Sequence, residues 1–254
     1  MNQQPTFSNI EKYSFIVEDN EFFTQYTNHT LSKQYDANFI LLKFLPLLSE
    51  FKLIEKMHLE YQVAIKQMHL HIYWPENTGL YMEIIDYLNE ENYELGRQIL
   101  QYISPKEFNN PSLNEKVQLK IVTTSTLNHF LEINYNEDLK IDAYYAASKE
   151  KVYRYQFQLP QVTFLLATIN KQAVGSLILI STKDYLEIDQ VLTVDSFRKQ
   201  KIASSMVAFV MEEARKNKQE VILVADAEDS PKEMYYKMGF ETISSQIHAQ
   251  KKLI

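Results

Sequence analysis

Between Val162 and Phe240 the hydrophobic pattern runs from strand to helix and back, and nothing else in the chain constrains the fold as much. Residues 162–169 and 173–181 are apolar runs joined by a tight turn at Lys171-Gln172, and residues 185–194 make a third. Residues 202–217 switch to the helical period, with Ile202, Met206, Phe209, Val210 and Ala214 on one face. An apolar strand at 220–225 follows, then a short helix at 231–238. That helix begins with Pro231, where a missing N–H costs little, and ends before Gly239. Antiparallel strands followed by strand–helix–strand–helix predict a mixed α/β layer fold.

A chain of 254 residues suits two compact domains. Residues 117–123 alternate like a strand, and 124–148 read as one or two helices. Upstream, 37–67 is apolar at helical spacing with a break at Pro46. Residues 69–74 read as a short strand, 75–79 as a turn, and 80–88 as a helix with Leu80, Ile84, Ile85 and Leu88 on one face. The stretch 104–114, with Pro105, Asn109, Asn110 and Pro111, has linker chemistry. The expected division is an N-terminal α/β domain at 1–113 and a second domain at 114–254.

Composition removes several function classes. Lys and Arg number 26 against 33 Asp and Glu, a net charge of -7, which argues against a nucleic-acid partner. Cysteine is absent, so disulfides and thiolate chemistry are excluded. No apolar run reaches the ~18 residues of a membrane span, and no basic segment leads into an apolar one near Met1, so no membrane partner and a cytoplasmic location are expected. Frequent Asn, Lys, Ile and Tyr point to an AT-rich bacterial genome. His69 and His71 alternate on the predicted strand with His58 upstream, but no carboxylates are spaced to complete a metal site. They are expected to be ordinary half-buried residues, with no metal bound.

Positive charge is concentrated in one place. Arg198, Lys199 and Lys201 fall in the loop between the strand ending at Val194 and the helix starting at Ile202. The N–H groups that open a helix lack internal partners and carry partial positive charge, so they bind phosphate readily. Ala203, Ser204 and Ser205 are small residues in the first turn, where a ligand can approach the backbone. The arrangement reads as a diphosphate cradle. A solvated basic loop is the plainer reading of the same residues.

The run Val194-Asp195-Ser196-Phe197-Arg198-Lys199-Gln200-Lys201-Ile202-Ala203 resembles motif A of the GNAT acetyltransferase superfamily, Arg/Gln-x-x-Gly-x-Gly/Ala at the start of a helix after a strand. Met234-Tyr235-Tyr236-Lys237-Met238-Gly239-Phe240 resembles the second signature, Tyr-x-x-x-Gly-Phe, with the strand at 220–225 between them. Arg198 and Ala203 match; the first motif glycine is replaced by Lys201. The resemblance implies a GNAT-like acyl-CoA N-acyltransferase fold of mixed sheet (α/β, α+β type) with an additional N-terminal domain.

It also implies acetyl-CoA as co-substrate, seated where the strands at 185–194 and 220–225 part. Backbone groups of Leu192, Thr193 and Val194 would pair with the pantetheine arm, and Arg198, Lys199, Gln200, Lys201, Ile202, Ala203 and Ser204 would hold the diphosphate. A small-molecule or peptide amine would attack the thioester directly. Glu187 or Asp189, on one face of the strand by its two-residue period, would serve as base. Tyr235, at the signature position, would protonate the departing thiolate, and Phe240 would pack.

The segments 69–74, 80–88 and Asn92-Tyr93 echo strand, helix and Gly-Phe of the second unit, with Leu88 in the place of Tyr235. The first unit is on this reading a degenerate GNAT copy that walls the acceptor pocket or mediates homodimerisation. The function expected is N-acetyl transfer; the alternative is a non-catalytic acyl-CoA-binding or regulatory module, which Lys201 keeps open.

Overall fold

The computed structural model describes residues 4–109, 111–228 and 231–253. The chain forms two compact units: Met1–Leu100 with Ala225–Asp229 and Thr242–Ile254, and Gln101–Val224 with Ser230–Glu241. A single division at 113/114 therefore does not describe the units, because the last strand of the chain belongs with the first hundred residues.

In the first unit the strands are β1 (Phe15–Asp19), β2 (Phe23–Thr27), β3 (Phe39–Leu42), β4 (His69–Tyr73), β5 (Glu94–Ile103) and the C-terminal β11 (Glu241–Lys252), in the order β1-β2-β3-β4-β11-β5. Helix α1 (Leu48–Ala64) follows Pro46, and α2 (Met82–Glu90) joins β4 to β5. Leu70, Ile72 and Trp74 pack with Phe51 and Ile54 of α1 and Ile84 and Leu88 of α2, all buried. Tyr87 and Tyr93 both donate to the Glu55 carboxylate, at 2.6 Å each.

Several of these strands run against the sequence reading. β3 lies inside the stretch read as helical, because four consecutive apolar residues carry no period of their own. β11 is built mostly from polar residues, and pairing defines it as a strand: a ladder with β4 from His248↔Tyr73 to Lys252↔His69, and β5 on its other edge.

In the second unit the order is β10 (Glu220–Asp226), β9 (Tyr185–Thr193), β8 (Gln172–Ser181), β7 (Val162–Ile169), β6 (Gln118–Ile121). Helices α3 (Leu127–Asp138) and α4 (Ala143–Gln156) precede β7; α5 (Ile202–Asn217) and α6 (Pro231–Lys237) flank β10. Neighbouring residues of β8 reveal the layering. A Cβ on Gly175 would fall 2.9 Å from Ile202 Cγ2 of α5. Ser176, pointing the other way, accepts from Asn134 Nδ2 of α3 at 2.9 Å.

The expected echo between the halves is structural. β1-β2-β3-α1-β4-α2-β5 and β7-β8-β9-α5-β10-α6-β11 run through the same elements in the same order. In each, two antiparallel pairings are followed by a parallel one, β3 with β4 and β9 with β10. The helix ends agree in detail. Tyr93 N donates to Leu88 O and Phe240 N to Tyr235 O, across left-handed residues Asn92 (φ 60) and Gly239 (φ 100). Gly and Asn are the residues that reach this conformation at least cost.

His58, His69 and His71 are buried rather than half-buried. His71 Nε2 lies 3.0 Å from His248 Nδ1 on β11. Burial pushes His58 down to about 3, with His69 and His71 adding to it, and burial likewise pushes His69 and His71 down to about 4. These imidazoles stay neutral in the folded chain, whereas the unfolded chain binds protons from pH ~6.5 downward. Their contribution to stability is therefore complete above that pH and is lost as pH falls toward 4, by about 1.4 kcal/mol per pH unit per imidazole. Urea midpoints between pH 7 and pH 4 should fall steeply, and His58→Gln should flatten the slope; a midpoint independent of pH contradicts the argument.

Candidate active site

Strand β9 is held differently along its length. Its parallel register with β10 runs from Tyr185↔Glu220 to Ile188↔Leu223 and ends there, while β9 continues to Thr193. On its other edge it pairs with β8 throughout, but with a shift between Ile178↔Asp189 and Ser176↔Leu192. β9 thus holds one residue more than β8 over that interval, a bulge. Gln190 occupies it with φ 48, left-handed for a residue with a side chain. The Gln190 N–H donates to Asp189 Oδ1 at 2.8 Å. Beyond the bulge, Gly175 lets β8 approach closely: a Cβ there would sit 2.7 Å from the Leu192 carbonyl oxygen.

At the end of β9 the chain turns into α5. Lys199 (φ 61) and Lys201 (φ 62) are both left-handed, and Lys201 is the residue that caps α5. The motif's glycine thus has a conformational reason, since a side chain in this region costs ~1–2 kcal/mol. Lys201 meets it by turning outward: its Nζ donates to Ser112 Oγ. The first intrahelical bond is Ser205 N to Lys201 O, 3.0 Å, so the N–H groups of Ile202, Ala203 and Ser204 open the helix ahead of it. No acidic residue stands in the first turn.

The basic residues of the loop are not equivalent. Arg198 pairs with Asp195 at 2.8 Å and reaches Glu137 at 3.9 Å, while Lys140 bridges the same two carboxylates at 2.7 and 2.6 Å. Lys140 and then Arg198 hold the Asp195 carboxyl below its usual range. Lys199 makes no ion pair among the described residues. Gln200 donates to Ser196 O, and its own carbonyl accepts from Asn114 Nδ2 at 3.0 Å. Asn114 N also lies 3.5 Å from Ser205 Oγ. Sequence reasoning assigned Ser112 and Asn114 to a linker; they adjoin the cradle.

In the first unit the helix at the matching place, α1, begins with the opposite charge. Glu50 accepts from Leu47 N at 2.7 Å, so a carboxylate already occupies that N-terminus.

Glu187 and Asp189 share one face of β9, opposite Ile180 and Ile178 of β8, and this is the face of Ser176 and α3. Glu187 is buried, and Asp189 is half-buried and engaged with its neighbour's N–H. Tyr235 is only 5% exposed and packs edge-on against Phe240, ring centroids 5.4 Å apart. Burial, and next the Asp189 charge, push its phenol well above the usual range. The structure thus brings Tyr235 and Asp189 within electrostatic reach. On the same side Tyr153 of α4 lies 3.2 Å from Asp138 Oδ2 and 3.4 Å from Gln190 Oε1. No motif pointed to these residues; the one trace is adjacent Val191 and Leu192, which break the alternation of β9.

Residues 132–251 match the family model described as an acetyltransferase (GNAT) domain. This part of the chain is a GNAT domain. Residues 6–100 match a model described as a domain of unknown function, DUF5613. Among solved structures, a functionally unknown conserved protein from Staphylococcus epidermidis ATCC 12228 has TM-score 0.92 at 23% identity, covering 99% of each chain. A GCN5-related N-acetyltransferase from Kribbella flavida has TM-score 0.65 at 13% identity, over 94% of this chain and 89% of its own. A tandem GNAT protein from the clavulanic acid biosynthesis pathway has TM-score 0.54 at 10% identity, over 84% and 74%. At these identities the likeness is one of fold. No curated protein matches the chain.

The GNAT domain's motif A helix depends on the close packing of β8, β9 and α5 at Gly175. Gly175→Ala should destabilise the protein by about 2 kcal/mol through overpacking, read as a lower urea midpoint at unchanged slope.

Proposed function

We propose that the protein transfers the acetyl group of acetyl-CoA to an amine. The observation that carries this reading is the parting of β9 from β10 after Ile188↔Leu223, next to a helix that opens on free N–H groups and lysine side chains. An unpaired strand edge suits the amide groups of a pantetheine arm, and the start of α5 suits a diphosphate. The residues fit the co-substrate: Leu192, Thr193 and Val194 supply main-chain groups, Lys199 and the N–H groups of residues 202–204 supply positive potential, and Lys201 is drawn aside to Ser112.

Bound acetyl-CoA would supply an activated acetyl group. The chain's own part is to orient and to manage protons. A main-chain N–H of β9 would donate to the thioester carbonyl oxygen. The acceptor amine must lose a proton to attack; Glu187 lies nearest the strand core, and Asp189 has one oxygen engaged by Gln190 N–H. Tyr235 is held protonated by burial and the Asp189 charge, so it acts as a hydrogen-bond donor to the departing sulfur more than as a full acid.

The second reading is a regulatory module that binds acyl-CoA without turnover. It is favoured by Lys201 in a left-handed position that the motif gives to glycine. Acetyl-CoA at a hundred times its dissociation constant should stabilise the protein by about 2.7 kcal/mol. Absence of any thermal shift rejects both readings, and a shift without CoA release across an amine panel selects the second. Tyr235→Phe should lower kcat by about a hundredfold and leave the acetyl-CoA dissociation constant unchanged; wild-type turnover removes Tyr235 from the mechanism. No described helix is long and apolar enough to cross a membrane, and we assign the protein to the bacterial cytoplasm, with a homodimer as its proposed assembly.

A further inference from the structure

The bulge in β9 needs something to hold it. Gln190 is a left-handed residue with a side chain, and its conformation shifts every main-chain group after it relative to those before. The Asp189 carboxylate fixes the Gln190 N–H, but the Gln190 side chain has a separate anchor. Tyr153 Oη stands 3.4 Å from Gln190 Oε1 and 3.2 Å from Asp138 Oδ2. Tyr153 is 1% exposed, while Asp138 is half-buried and Gln190 exposed, so the contacts lie where the buried phenol meets the surface.

A phenol has one proton, and here it faces two acceptor oxygens. Both contacts are hydrogen bonds in either of two arrangements: a protonated Asp138 carboxyl donates to Tyr153 Oη and the phenol donates to Gln190 Oε1, or the phenol donates to the ionised carboxylate and the Gln190 amide, turned end for end, donates Nε2–H to Tyr153 Oη. Burial raises the Asp138 pKa first of all, and Glu137 on the same helix also raises it; Lys149 of α4 and Tyr153 itself oppose them. Burial first, and then Asp138, Tyr145 and Asp189, hold the Tyr153 phenol in its neutral form, and Lys149 Nζ lies 5.2 Å from the ring centroid.

We propose that Tyr153 and Asp138 are positioning residues: a chain of hydrogen bonds from Asp138 through the Tyr153 hydroxyl to the Gln190 side chain keeps β9 bulged, and so sets the main chain of residues 190–193 for the acyl donor. This rests on the acyl-transfer reading above. It gives a role to a buried tyrosine, a half-buried carboxyl and an exposed amide that touch neither motif.

The variants are Tyr153→Phe, Gln190→Ala, the double variant, Asp138→Ala and Asp138→Asn. An asparagine amide donates to Tyr153 Oη at every pH, so it preserves the chain that alanine breaks. Tyr153→Phe and Gln190→Ala should each lower kcat by about a hundredfold, the cost of a misplacement on the order of 1 Å, with the acetyl-CoA dissociation constant within about twofold. The double variant should be no worse than either single one, since both cut one link. Asp138→Asn should keep wild-type kcat where Asp138→Ala does not. Wild-type kcat in Tyr153→Phe, additive losses in the double variant, or equal losses for Asn and Ala at 138 each overturn the proposal. Hydrogen exchange of the peptide spanning 186–194 reads the tether without any acyl-CoA. Faster exchange in Tyr153→Phe supports the tether even if the protein proves not to be a transferase, and unchanged exchange overturns it even if turnover is lost.

Discussion

Strand β9 satisfies its main chain on both edges only as far as Ile188. From there one edge stays with β8, and the other is released to whatever can pair with it. A strand edge freed inside a sheet is costly unless something uses it. The surrounding features follow from this release. The bulge at Gln190 shifts the register on the β8 side, Gly175 allows β8 to stay in contact past the bulge, and the loop at 195–201 turns the chain back into α5 beside the opening. Geometry and charge then converge without any single residue dominating.

Much of this was legible in the sequence. The strands and helices from Val162 to Lys237 fall within a residue or two of the periodicity reading, because long segments with clean periods leave little choice. The turn from β9 through a basic loop into α5, and the left-handed Gly239 just past α6, also agree with that reading. What sequence did not reveal is held by partners distant along the chain. β11 is a strand because β4 and β5 lie beside it, not because Ser244, Ser245 and Gln246 favour one. Tyr153 and Asp138 acquire meaning only where α3, α4 and the bulge meet. The basic run looked like three equal charges; folded, Arg198 is answered by Asp195 and Glu137, Lys201 by Ser112, and Lys199 makes no ion pair among the described residues.

The two halves repeat one order of elements, and they differ where charge meets a helix start. In the second half Lys201 precedes α5 and no acid enters its first turn; in the first, Glu50 folds back onto the start of α1. A carboxylate there contributes to the helix much as a phosphate would. Leu88 stands where the other half has Tyr235, and the C-terminal turn makes the same hydrogen bond in both.

The membership of β11 in the first unit has a bearing on how the protein is made. Synthesis proceeds from the N-terminus, yet the half translated earlier lacks an interior strand, the neighbour of β4, until residues 242–252 emerge. His71 and the rest of β4 must wait, with an unpaired edge, for roughly the time of translating the second half. The half translated later holds most of its strands in sequence and can close first. A nascent chain truncated before Thr242 would keep β4 paired with β3 on one edge and leave the other edge open.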